Sequence, residues 1–184
     1  MSNLMSQEQD DRTLAEIFEE RIARNQFVER PLEQIELSQV DYPHHKTLYK
    51  KGAKILRSDG YFFGPPFTGN CTLKVCYFAR SLLFTNQDFN EYLSFEESVF
   101  EQELLATSLR TKGKADFRNI IIGRKCEFWG CGFMSETDFQ SVDFGGEVKF
   151  EKCTFHSNLT FEGAHFKQLA IFLNCTFNGQ VLFA

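Results

Sequence analysis

The chain has 184 residues, enough for one domain with a sizeable core. Its net charge of -5 argues against nonspecific binding to nucleic acid or to an anionic membrane surface. Composition singles out one residue type: 22 phenylalanines against five tyrosines and a single tryptophan, which points to one structural slot used many times.

The first residues, MSNLMSQEQDDRTL, are polar and acidic. They lack the basic end and apolar run of a secretory signal. No stretch nears the roughly 18 apolar residues that a membrane span needs. The expectation is a cytoplasmic protein, or one exported without a visible signal. Residues 13–30, TLAEIFEERIARNQFVER, predict a helix. Thr13 and Glu16 stand at capping-box spacing. Leu14, Ile17, Phe18 and Ile22 form an apolar stripe, and Pro31 ends the element. Residues 31–59 give no clear element, and DYPHHKTLYKKG within them reads as a loop.

From Gly60 the chain becomes periodic. Cut every eleven residues, it reads GYFFGPPFTGN, CTLKVCYFARS, LLFTNQDFNEY and so on to the stub VLFA. The third column is Phe in every row except those with Leu73 and Ala106. The eighth is Phe in every complete row except those with Thr111 and Ile122. Columns one and six hold small or medium residues, mostly apolar, two places before each Phe. On an extended chain, positions i−2 and i face the same way, and the residue between them faces out. The residues between include Asp116, Glu127, Asp138, Asp143, Lys149 and Thr154, as an outer surface requires. The remaining positions supply the Gly, Asn, Ser, Lys and Glu of frequent turns. Such a chain winds around a Phe-filled axis as a parallel β-solenoid. Eleven residues per coil would leave too thin an interior for two Phe and two further inward residues. Column six alternates Cys131, Val142, Cys153, Ala164, Cys175, so the better match is 22 residues per coil, in four sides. The expected core ladder is Phe128, Phe133, Phe139, Phe144, Phe150, Phe155, Phe161, Phe166, Phe172 and Phe177, with Cys131, Cys153 and Cys175 beside it.

Row 104–114, LLATSLRTKGK, is the one row in which both Phe columns fail. Two readings stand. Either the coil narrows, with Leu104, Leu105 and Leu109 turned inward, or a loop projects, tipped by Lys112-Gly113-Lys114. Residues 88–103 are acidic and residues 110–125 basic. That makes Arg110, Lys112, Lys114, Arg118, Arg124 and Lys125 the candidate partner-binding residues. All six cysteines fall in the inward small columns, which favours buried packing over a disulfide or a metal site. His44, His45, His156 and His165 have no partner at ligand or triad spacing. No catalytic motif, cofactor or metal is therefore expected.

The units ADFRN (115–119), TDFQS (137–141) and VDFGG (142–146) resemble the pentapeptide-repeat family, here with a six-residue step alternating with the five. The resemblance covers about two thirds of the chain. It implies an all-β solenoid, a right-handed quadrilateral parallel β-helix of about 22 residues per coil, over residues 60–184. The six-residue steps suggest a bulge on two sides. Residues 1–59 are expected to form a short α-helical N-terminal cap and loop, with the helix covering the open solenoid end or serving as a dimerisation or partner-binding element. Dimerisation through the C-terminal coil is common in the family and is the other expectation for a homodimer. For function, the expectation is a noncatalytic scaffold that binds a protein partner through a solenoid face or row 104–114. Two alternatives come from the resemblance: a DNA-mimicking binder of type II topoisomerases such as gyrase, and a bacterial effector acting in a host cell. Residues 60–184 carry 14 acids and 11 bases, a net charge of only −3 (14 against 11), far below that of a DNA duplex of similar length.

Overall fold

Inward residues at every second place of a short side can be buried only if the chain turns back over itself. The computed structural model shows that arrangement. It describes residues 60–62, 66–67 and 69–183, together with Leu14, Glu16, Arg30–Pro31, Leu48–Tyr49 and Lys54–Leu56. Its strands are short and pair in parallel with the strands one coil before and after. Four sheets result, of six, five, seven and seven strands, one for each side of a quadrilateral. In the central coil, side one carries Leu104–Thr107, side two Arg110–Thr111, side three Ala115–Asp116 and side four Ile121–Ile122. The register holds at 22 residues on every side from Gly60 onward. Leu104 pairs with both Leu82 and Cys126, and Ala115 with both Leu93 and Thr137.

The alternation of five and six residues has a backbone cause. Every described residue with positive φ closes a five-residue side: Asn86, Ser108, Gly130, Lys152 and Asn174 on side one, and Val75, Glu97, Asn119, Ser141 and Gly163 on side three. The left-handed conformation turns the chain sharply within one residue, and Asn and Gly adopt it most readily. Sides two and four turn without it and use one more residue. That residue is not a bulge in the ladder. Each coil carries it at the same place, so Thr111 still faces Phe89 and Phe133, and Ile122 faces Phe100 and Phe144, one residue to one.

Inside, the phenylalanines stack from coil to coil and meet edge to face across sides. Phe128 lies 5.0 Å from Phe150 with rings nearly parallel, and 5.9 Å from Phe139 at 76°. Both arrangements suit the ring quadrupole. Phe128, Phe133, Phe139, Phe144, Phe150, Phe155 and Phe161 are buried, whereas Phe166 and Phe172 are half-buried and Phe177 is exposed in the last coil. Cys131 and Cys153 lie in the core and Cys175 packs at its edge.

Row 104–114 is not a projecting loop. Leu104–Thr107 and Arg110–Thr111 are lattice strands, and Ala106 pairs between Phe84 and Phe128. The backbone ladder and the left-handed corner at Ser108 do not depend on a ring. Leu104 and Leu109 face inward, but Leu105 faces out, half-buried, as Leu83 and Glu127 do in the adjacent coils. Inward Gln87 and Leu109, both fully buried, stand where later coils carry cysteine and take up part of the missing volume.

Strands from before Gly60 also join the lattice: Leu48–Tyr49 pairs with Cys71–Thr72, Lys54–Leu56 with Cys76–Phe78, and Arg30–Pro31 with Lys54 and Ile55. Most of the helix expected over 13–30 lies outside the described residues. Leu14 and Glu16 have helical backbone, and Leu14 packs against the outside of side four, where a cap over the solenoid end would not place it.

Candidate functional site

Among the described residues, the interior is filled by side chains, so the surface features lie on the outside. There the acidic band and the basic band are one coil apart, which places opposite charges 22 residues apart on neighbouring strands. Arg110 meets Asp88 at 3.7 Å, and Arg118 meets Glu96 at 3.0 Å. Glu96 also pairs with Lys74 from the coil before. Lys114 reaches Asp138 at 3.1 Å and Glu136 at 3.9 Å, and Lys125 pairs with Glu127. Lys112 and Arg124 are exposed and enter no ion pair among the described residues. The six candidate basic residues are thus not gathered into one site. Four of them stitch coils or corners together, and two point to solvent.

The densest part of this network is on side three. Asp116 is fully buried although it points outward. Arg118 grips it through two side-chain hydrogen bonds of 2.9 and 2.8 Å and donates its backbone N–H at 3.1 Å, while the Tyr92 hydroxyl donates from the coil before. Burial disfavours the charged carboxylate, but these bonds outweigh it and hold its pKa below the ordinary range. Arg118 is held fully charged by the hydrogen bonds to Asp116, against its own desolvation.

Sequence reasoning missed the most conspicuous group on the surface. Trp129, the one tryptophan, ends its strand on side one and is 39% exposed. The Lys152 ammonium lies 5.1 Å from its ring centroid, at cation–π distance. Met134, 53% exposed, stands at the far end of side two in the same coil. On side two of this coil the outward residue is Gly132, flanked in its column by Thr154 on one neighbouring strand and by Arg110 on the other, whose Cγ lies 3.9 Å from where a Cβ on Gly132 would stand. Exposed Trp129 thus precedes, across one corner, a side whose outward residue in this coil is a glycine. The available signal was Trp129 itself, a large apolar residue in an outward column.

All six cysteines are thiols. Burial pushes Cys71 and Cys126 up, far from the reactive thiolate range. Cys131 is raised by its contact with Cys153 one coil on and by burial. The described residues contain no cluster of His, Cys, Asp or Glu arranged to hold a metal ion. They also contain no helix long and apolar enough to cross a membrane.

A family model of pentapeptide repeats in nine copies matches residues 139–184. No curated protein and no solved structure matches the chain. The matched segment continues without a break in register into residues 71–138, through the same four sheets.

Proposed function

Because the chain is a pentapeptide-repeat protein, we propose that it is a noncatalytic scaffold that binds a protein partner on an outer side of its solenoid. The winding is right-handed, the hand that parallel crossovers adopt. The observation that carries the reading is the exposed Trp129 at the corner between sides one and two. An exposed tryptophan at the end of a side-one strand, with an exposed methionine and the small outward Gly132 on side two of the same coil, offers residue types found at interface hot spots. The basic residues of row 104–114 are weaker candidates, since Arg110 and Lys114 already have carboxylate partners. The test is affinity purification from the source cell with wild type, Trp129→Ala and Lys112→Glu/Arg124→Glu. Loss of a partner with Trp129→Ala alone supports the Trp129 corner. Identical partners with all three proteins sink it.

A DNA-mimicking binder of a type II topoisomerase is the second reading, favoured only by the carboxylates of residues 88–103. Their ion pairs with the following coil count against it, because a duplex presents its charge unneutralised. Inhibition of gyrase supercoiling at micromolar protein would revive it. The effector reading rests on the family resemblance alone. Homodimerisation is a further proposal, with the exposed Phe177 and Phe183 of the last described coil as the contact, and sedimentation as its test.

A further inference from the structure

Side two carries a column of cysteines. Cys131, Cys153 and Cys175 stand at the same inward place in three successive coils. The residues that follow them, Gly132, Thr154 and Thr176, pair in register. Successive cysteine Cα atoms are therefore one strand spacing apart, about 4.8 Å. That separation lies inside the roughly 4.4–6.8 Å window of a disulfide. Cys153 is in side-chain contact with both of its neighbours in the column. Each sulfur leans toward the coil before it. Cys153 Sγ donates to the Phe128 carbonyl at 3.3 Å, and Cys175 Sγ to the Phe150 carbonyl at 3.3 Å. The Cys175 sulfur thus already faces the coil that holds Cys153, and one χ1 rotation of Cys153 brings the two sulfurs together. Access differs along the column: Cys131 and Cys153 are buried, and Cys175 is half-buried. The other three cysteines have no such neighbour. One coil away, Cys71 has Leu48 and Leu93, Cys76 has Lys54 and Ser98, and Cys126 has Leu104 and Val148.

We propose that Cys153 and Cys175 form a redox modification site, at which hydrogen peroxide closes a disulfide that staples two successive coils. The more accessible thiol, Cys175, reacts first. One peroxide oxygen transfers to its Sγ, giving a sulfenic acid, and the other leaves as water. The Cys153 sulfur then attacks the Cys175 sulfur. The S–S bond forms, the S–O bond breaks, and the hydroxyl leaves with the Cys153 proton as a second water. The two sulfurs lose two electrons and the peroxide gains them. Cys131 stays a thiol behind the pair. The bond closes residues 153–175 into a covalent loop. In a solenoid each coil is held only by its neighbours, so a covalent link between two coils opposes their separation.

Treatment of the reduced full chain with hydrogen peroxide, then alkylation and tryptic mapping without reduction, tests the pairing. The three cysteines of the column fall in separate tryptic peptides, ending at Lys149, Lys167 and Ala184. Peptides 153–167 and 168–184 should be linked within one chain, while Cys71, Cys76 and Cys126 stay alkylated as thiols. A link through Cys131, a link between two chains, oxidation without a link, or no oxidation overturns the proposal. Cys131→Ser should keep the link and Cys175→Ser should abolish it; loss of the link in Cys131→Ser alone overturns the assigned pair. The staple has its own readout. Tryptic cleavage after Lys167, exposed within the closed loop, should slow about tenfold in the oxidised protein when scored after reduction. An unchanged cleavage rate overturns the staple.

Discussion

Two coils of this solenoid hold together differently. The coil that begins at Val148 places Phe150, Phe155, Phe161 and Phe166 at its four inward ring positions. The coil that begins at Leu104 has Ala106, Thr111, Phe117 and Ile122 there. Yet the two backbones share one register, one hydrogen-bond ladder and one set of left-handed corners. The ring-poor coil compensates in two ways. Inward Leu109 and Ile120 are bulkier than the Cys153 and Ala164 found 44 residues on. Outside, the same coil supplies Arg110, Lys114, Asp116 and Arg118, which bind it to both neighbours. The comparison teaches that coil shape is set by corners and the backbone ladder, and that the rings supply stability more than shape.

The largest expected effect breaks the ring-rich coil from within. Phe150 stacks on Phe128 at 5.0 Å and on Phe172 at 5.1 Å, and meets Phe139, Phe155 and Phe161 by their edges. Phe150→Ala copies Ala106 without its bulky neighbours. It should cost about 3–5 kcal/mol in urea unfolding, because close-packed rings cannot collapse into the void. A loss under about 1 kcal/mol would mean that the stack is dispensable.

Removing the outside clamp of the ring-poor coil comes next. Asp116→Asn leaves Arg118 and the Tyr92 hydroxyl without their buried carboxylate and should cost about 1–3 kcal/mol at neutral pH. The pH dependence gives the sign. The folded pKa of Asp116 lies below its unfolded value, so its contribution is present above about pH 4 and is lost as pH falls through the folded pKa. Wild type and variant should therefore converge in strongly acidic solution. A difference that does not change with pH would assign the loss to packing.

Much of this was legible in the residues. The Phe columns gave the solenoid, and the recurrence of cysteine in every second row gave 22 residues per coil. The ion pairs were legible only after that number was known, because Asp88 and Arg110 become neighbours only at a period of 22. Three features needed coordinates. The turn that makes a five-residue side possible is a φ value, and residues as unlike as Val75, Lys152 and Gly163 adopt it. Row 104–114 lacks both Phe columns yet keeps the lattice, because the ladder and the corners do not depend on ring identity. The contact of Leu14 with this cluster joins residues far apart in sequence, although three apolar residues in one outward column, Tyr77, Val99 and Ile121, were a signal for it.

Smaller effects sharpen the comparison at Thr111. Its hydroxyl is buried and accepts or donates no hydrogen bond among the described residues. Thr111→Val keeps the shape and removes an unsatisfied polar atom, so it should stabilise the protein by about 1 kcal/mol. A destabilised variant would instead show that the hydroxyl has a partner, such as a bridging water.

Arg110 should matter least. Its contact with Asp88 is long, at 3.7 Å, and both side chains reach solvent. Solvent screening and side-chain entropy reduce such a pair to about 0–1 kcal/mol, so Arg110→Ala should move the unfolding midpoint little, and less still at high salt. The contrast with Asp116 tests where the outside clamp resides. Arg110 meets an opposite charge of the neighbouring coil, whereas Asp116 pairs with Arg118 of its own coil and reaches the neighbour through the Tyr92 hydroxyl. They differ in that Asp116 is shielded and bonded by three groups of two residues, while Arg110 makes one loose contact. If Arg110→Ala costs as much as Asp116→Asn, charge alternation along the rod is what holds the coil. If it costs almost nothing, the clamp is the single buried carboxylate on side three.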